Sequence, residues 1–480
     1  ISACLVGSEM CIRDRTKHLY TMKGEGVGYQ HDKSIVIDRG IITAVGNSDH
    51  IAQEYTADKY IDATDKMVLP GFVDAHMHTG HGVLRGVAQD INRWMFEGMA
   101  PFELARSSEA KTAGSELAIT EAIMNGTTTI GDDSSDIRGS LEYIDKVGVR
   151  GNVSVRVRSA LIKPYKGDEL YTFDKNYGEQ TLNEALTLFD DFNNRDNERI
   201  KIRFGPQGAD FLNLDLLKRV KELARERHTT IHMHLAQGAR EHAQMMQRYG
   251  MRAIPLLSKL GYLDKDFIGI HLTDATDEEI QTVVDSGASM VFCPNSLGVI
   301  GGMVPPAVKF LEDGGCVGLG SDQAPGNNSH NIISEMKATS VFNKIKYKSS
   351  TIMPAWKCLR MATIEGARAI GIDKLVGSIE VGKHADIICV DLNTPSIAPV
   401  YTTPMRNMVP NLVYSARGNE VATVIVDGRI LMEEHVPVTF NVQEVVSNAQ
   451  HHADIIGEKA APLFNEIHGM NAIYMEEDKL

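Results

Sequence analysis

VLPGFVDAHMH, residues 68–78, is a run of apolar and β-branched residues that ends in two histidines. It reads as a strand, and because residues two apart on a strand share a face, His76 and His78 point the same way. Seven runs of the same kind follow: TTTIGDD (127–133), GNVSVRVRSA (151–160), IKIRFGPQ (200–207), TTIHMHLAQ (229–237), FIGIHLTDA (267–275), SMVFCPNS (289–296) and CVGLGSDQ (316–323). Helical patterns separate them, such as LDLLKRVKELARER (214–227) and the segment after Thr276, where Thr276 and Glu279 form a capping box and Gly287 a stop. Eight strands alternating with helices predict an α/β fold, a (β/α)8 TIM barrel over residues 68–377.

The flanks differ in kind. Residues 16–67, with SIVIDRGIITAVG, and 378–435, with HADIICVDL and EVATVIVDGRILM, read as short strands and turns. Two β-rich pieces at opposite ends of a barrel predict one small β-sandwich formed from both chain ends. Residues 436–480 are helical in pattern. Residues 1–15, ISACLVGSEMCIRDR, lack the basic start and continuous apolar centre of a secretory signal and resemble translated adapter sequence, so they are set aside from the fold.

Composition narrows the chemistry. The 480 residues are 43% hydrophobic and 23% charged, which is ordinary for a globular protein. A net charge of −14 argues against a nucleic-acid footprint, which needs clustered Lys and Arg. No window offers the ~18 uncharged apolar residues that a membrane span needs. The cysteines at 4, 11, 293, 316, 358 and 389 form no CxxC pair, which suits a reducing, cytoplasmic compartment. A small-molecule substrate is the expectation.

In barrel enzymes the chemistry gathers at the C-terminal strand ends, because the loops there face a common mouth. The unusual polar residues fall at those places: His76 and His78 end the first strand, His234 the fifth, His271 the sixth and Asp322 the eighth. A lone histidine in a strand is more often a hydrogen-bonded core residue than a ligand, and Asp322 alone reads equally as a turn residue. Jointly they need partners, since buried imidazoles and carboxylates are costly without them. Such a set suits one divalent metal ion, zinc first and ferrous iron second, with a position left to water whose pKa falls to about 7. Hydrolysis is the natural reaction.

With these motifs in hand, the chain resembles the amidohydrolase superfamily from about residue 17 to 435. VLPGFVDAHMH is similar to its first-strand motif, GLGSDQAPGNN (318–328) to its eighth-strand aspartate loop, and GSIEVGKHADIICVDL (377–392) to its return into the small sandwich. MATIEGARAIG (361–371) and NLVYSARGNEVATVIVDG (411–428) resemble the mononuclear aminohydrolase branch, which acts on s-triazines, purine nucleosides, cytosine, guanine and pterins. The resemblance implies that His76, His78, His234 and Asp322 hold one metal ion. It implies that His271 polarises the substrate, that Asp322 accepts the water's proton, and that the chain forms a homo-oligomer. His232 shares the inward face of His234 and reads as a supporting or core histidine. Two-metal members carry a carboxylated lysine at the end of the fourth strand; Lys201 lies at the wrong end of IKIRFGPQ, which favours one metal.

Gln237 departs from the pattern. Related deaminases place a glutamate three residues after the fifth-strand histidine, and an amide cannot carry a proton at neutral pH. Either His271, Asp322 or Glu241 moves the proton, or the leaving group is a halide, alkoxide or cyclic amide rather than an amine. A barrel without turnover is the third reading. The loop TGHGVLRGVAQDINRWMFEG (79–98) offers Arg85, Gln89 and Trp94 as pocket residues, with Gln323, Asn327 and Asn328 after the metal aspartate. His81 reads as a surface histidine. The expected activity is hydrolysis of a carbon–nitrogen bond other than a peptide bond, on a nitrogen heterocycle.

Overall fold

The computed structural model describes residues 12–163, 165 and 169–480. Its centre is a parallel sheet of eight strands in chain order: Phe72–Met77, Thr127–Ser134, Arg150–Val157, Ile200–Pro206, Ile231–Leu235, Phe267–His271, Ser289–Phe292 and Val317–Leu319. Every neighbouring pair is parallel. A single bridge between Met77 and Asp322 joins the first strand to the segment after the eighth, with Asp322 N donating to His76 O at 2.9 Å and His78 N to Asp322 O at 2.8 Å. The ring is therefore sewn together at the residues of chemical interest.

The strands are shorter than their sequence patterns at the C-terminal ends. Ala236, His271, Leu272 and Asp322 all have positive φ, of 52°, 73°, 50° and 62°, which ends extended pairing and turns the chain over the barrel mouth. Pro294 starts a helix, Pro294–Gly301, inside the predicted seventh strand. The run 68–78 is two strands: Lys59–Pro70 belongs to the outer sheet and only Phe72–Met77 to the barrel. Between them Gly71 passes so close to Thr128 that a Cβ would meet its Cγ2 at 2.1 Å. The Pro70–Gly71 dipeptide marks that break in the sequence, although apolar residues continue on both sides of it.

The helices follow simple amphipathic logic. Leu214–Glu226 is capped by the Asn213 side chain and buries Leu216, Leu217, Val220 and Ala224 against the barrel. The capping box of Thr276 and Glu279 opens Asp277–Asp285, and Gly287 follows at φ +79°. The loop 79–98 is less irregular than its sequence implies, with a 3-10 segment Thr79–Leu84 and a π-helical turn Trp94–Met99.

Both chain ends build a second eight-stranded sheet, in which Lys59–Pro70 pairs with Ile12–Tyr20 on one side and Ile387–Asp391 on the other. It has its own core around Ile12, Leu19, Ile37, Val68, Ile387 and Ile425. Ile12 to Arg15, set aside in the sequence reading as foreign, pair in register with Lys59 to Asp62. Ile12 is fully buried and satisfies the strand pattern. The remainder of that segment lies outside the described residues. A buried ion pair ties the two sheets: Arg150 at the start of the third barrel strand meets Asp386 through Nε–Oδ2 at 2.7 Å and Nη2–Oδ1 at 2.9 Å. Helix Val442–Ile467 closes the chain against Ser108–Met124 and Ala100–Ala105. Among the described residues no helix is long and apolar enough to cross a membrane, and the four cysteines are unpaired.

Candidate metal centre

His76, His78, His234, His271 and Asp322 meet at the mouth of the barrel. Ring centroids of His76 lie 4.6 Å from His78, 5.0 Å from His234 and 5.5 Å from His271. Asp322 Oδ1 sits 3.5 Å from His76 Nε2 and 3.3 Å from His78 Nε2. Ligand atoms of His76, His78, Asp133 and His234 fall within 4.8 Å of one another, and so do those of His76, His271 and Asp322. All six side chains are buried.

Each imidazole is held by its far nitrogen. His78 Nδ1 lies 2.5 Å from Asp133 O and His234 Nδ1 3.0 Å from Gln207 O, so each donates a proton to a carbonyl and turns a bare Nε2 inward. His76 Nδ1 lies 3.2 Å from His232 Nε2. Its own Nε2 is buried without a hydrogen-bond partner, as a ligand nitrogen awaiting a cation would be. Burial lowers the pKa of His78 and His234 well below the usual imidazole value and takes His271 down to about 4. All three are therefore neutral near pH 7, with lone pairs free. Asp322 is held well below the usual carboxylate range by its histidine neighbours against the opposing effect of burial, and its Oδ2 accepts from Ser296 Oγ at 2.5 Å. Three neutral imidazoles and a carboxylate are the donor set of a divalent metal site.

Two groups escaped the sequence reading. Asp133 ends the second strand beside His78 and His234, with Arg156 Nη2 at 2.9 Å from its Oδ2. Its neighbour Asp132 accepts from Thr79 N at 3.0 Å and from Ser140 Oγ at 2.8 Å, fixing the chain just past His78. The signal was present as two consecutive acids at a strand end, TTTIGDD. His232 supports His76 from below. His81 is not a surface residue: its side chain is 15% exposed, packs 5.6 Å from the His78 ring and faces Glu103 Oε2 at 3.5 Å. Lys201 pairs with Glu198 at the far end of its strand.

The expected pocket residues divide. Gln323 is buried beside Asp322 and opens the short helix Ala324–Asn327, while Trp94 is half-buried on its π-turn. Arg85 is bound to Glu121, and Gln89 donates to Pro325 O at 2.5 Å, so both fasten loops together. Asn328 Oδ1 accepts from Gly86 N at 2.8 Å, and Asn327 donates to Ser321 O, Ser329 O and Glu335. Gln237 lies exposed at the mouth, its backbone N–H held by Glu241.

Residues 67–431 match the model of the amidohydrolase family, and the chain belongs to that family. It is 31% identical over 422 residues to a 5-methylthioadenosine/S-adenosylhomocysteine deaminase of Thermoanaerobacter pseudethanolicus, covering 88% of this chain and 93% of that one. A 5'-deoxyadenosine deaminase of Methanosarcina mazei is 31% identical over 423 residues with the same coverage, 88% and 93%. Among solved structures, an adenosine deaminase from Xanthomonas campestris with bound zinc superposes with a TM-score of 0.84 at 25% identity, covering 93% of this chain and 98% of that one. Atrazine chlorohydrolase from Arthrobacter aurescens complexed with zinc shares the fold, with a TM-score of 0.81 at 20% identity over 92% of this chain and 100% of that one. The protein is a hydrolase of carbon–nitrogen bonds whose buried histidines and carboxylates form a donor set suited to a divalent metal ion.

Proposed function

We propose that this chain is a zinc-dependent deaminase of adenine nucleosides altered at the 5' position, releasing ammonia from the purine ring. The observation that carries the reading is the convergence of His76, His78 and His234 with Asp322 at the closing seam of the barrel. The names of the relatives at 31% identity support the substrate class. His76, His78, His234 and Asp322 would hold the ion, with iron as the alternative metal. When bound, zinc supplies Lewis acidity that lowers the pKa of water to near neutrality.

The chain's own residues do the rest. Asp322 accepts a proton from the attacking water. His271, neutral at working pH, faces the reacting carbon and orients the ring. Gln237 hydrogen-bonds the heterocycle at the mouth; it cannot shuttle a proton, so Asp322 returns one to the departing amine. Gln323 and Trp94 line the ring. The free thiols of the described cysteines support a cytoplasmic setting.

One observation favours a second reading. Glu241, one helical turn beyond Gln237, is turned onto backbone N–H groups and does not directly replace the missing shuttle. A ring carrying a halide or alkoxide needs less protonation of its leaving group. The deciding experiment incubates zinc-loaded protein with 5'-deoxyadenosine, S-adenosylhomocysteine and chloro-s-triazines while reading ammonia and chloride separately. Ammonia from the nucleosides is expected; chloride alone would transfer the assignment to the second reading.

A further inference from the structure

Beneath the proposed ligands, a polar chain that the reaction does not use runs through the seam of the barrel. Asp74, on the first strand and fully buried, grips Ser321 twice: Oδ1 accepts from Ser321 N at 3.0 Å and Oδ2 from Ser321 Oγ at 2.5 Å. The Ser321 hydroxyl has one proton, and it goes to Asp74. His330 Nδ1, 2.8 Å from the same oxygen, must therefore be the donor to it. His330 is itself fully buried and held from behind, its backbone N–H donating to Glu121 Oε1 at 3.2 Å. Glu121 is in turn bound to Arg85. An imidazole, a hydroxyl and a carboxylate thus connect the loop after the eighth strand to the first strand.

The clamp sits one residue from Asp322, and Asp322 needs a clamp. Its φ of 62° is a left-handed conformation, which Asp adopts more readily than most residues but which fixes the direction of the carboxylate only while the flanking peptides are held. Peptide bonds on both sides of that turn are pinned to the first strand: Ser321 through Asp74, and Asp322 through His76 O and His78 N. We infer that His330 is a positioning residue of the metal centre, locking the Ser321 hydroxyl onto Asp74 so that Asp322 and His76 keep the spacing a cation requires. Burial favours this neutral donor, lowering the His330 pKa to about 4. The inference rests on the proposed ligand set.

The test compares His330→Leu, which removes the donor, with His330→Asn, which keeps an N–H where Nδ1 stood. Zinc affinity is read by chelator competition, and hydrogen exchange of the metal-free protein is read across residues 74–78 and 320–323 against residues 231–235. His330→Leu is expected to weaken zinc binding by about tenfold or more, with exchange quickened only at the two seam segments; His330→Asn should stay within about threefold of the parent. If His330→Leu does not fold, Ser321→Ala takes its place with the same expectation. Unchanged zinc affinity overturns the inference, and so does quickened exchange across all three segments without rescue by Asn, which is a general structural role. A parent chain that took up no zinc would end the proposed ligand set. The exchange arm then decides the clamp alone: local loss keeps it and no loss removes it.

Discussion

The Glu241 carboxylate meets Gln237 at its backbone and not at its amide: Gln237 N donates to Glu241 Oε2 at 2.7 Å, and Ala236 N to Oε1 at 3.2 Å. The acid one helical turn beyond the amide is spent tying off the fifth strand at Ala236, whose φ is 52°. Burial and nearby Asp210 push its pKa up to about 8, against the two backbone N–H groups that lower it.

Gln237→Glu tests what that arrangement means. If Asp322 handles both proton transfers, ammonia release from 5'-deoxyadenosine should change by less than about tenfold, since general acid–base help at an already served step adds little. A rise of about a hundredfold would show that an amine is not the natural leaving group. Initial rates at saturating substrate decide.

Metal removal should abolish turnover, and one divalent ion per chain should restore it. Because a metal binds the folded state alone, saturation at about a thousandfold above Kd adds ~4 kcal/mol of stability. Calorimetry of metal-free and reloaded protein should show the transition rising by several degrees, and His234→Ala should remove most of that rise.

Asp386→Ala leaves the buried Arg150 guanidinium without its two-point partner. Uncompensated buried charge costs about 3–5 kcal/mol. The expected result in denaturant titration is a loss of that size while the spectroscopic metal site is retained, because the pair lies at the opposite end of the barrel from the mouth.

Glu335 gives a pH signature. It is fully buried, with burial raising its pKa to about 8 although Asn295 and Asn327 donate to it. The folded state therefore holds its proton more tightly than the unfolded chain, whose carboxyl titrates near 4.5. Its stabilisation is complete below about pH 4.5 and is lost as pH rises through about pH 8. Glu335→Gln lacks that loss, so its stability relative to the parent should improve by about 4–5 kcal/mol across the window. Unfolding midpoints at both ends of the window measure it.

Arg85→Met should alter kcat/KM by less than about threefold, because an exposed pair such as Arg85–Glu121 contributes ~1 kcal/mol or less. A large rise in KM would return Arg85 to the pocket.

The eight barrel strands were legible because buried parallel strands are short β-branched runs between amphipathic helices, and the five mouth residues were legible because polar groups at strand ends break that pattern. Strand endings were not legible: positive φ at Ala236, His271 and Asp322 is imposed by the turn over the mouth, and nothing in their side chains announces it. The break at Gly71 was signalled by the Pro70–Gly71 dipeptide, while the close approach of Thr128 that requires a glycine there is tertiary. His232 was readable as a supporting histidine beside His234, but Asp133 and His330 were out of reach, since their partners come from other parts of the chain. The pairing of Arg85 with Glu121 was hidden too, because Glu121 sits on a helix that no local pattern brings near.

The bridge from Met77 to Asp322 has a bearing on biogenesis. A nascent chain leaving the ribosome displays His76 and His78 early, yet the carboxylate that completes their cage arrives only after seven more strands have been threaded. Until then an ion would meet two imidazoles, and three once the fifth strand brings His234, but not the carboxylate. The full donor set exists only when the last strand has docked and the ring is closed.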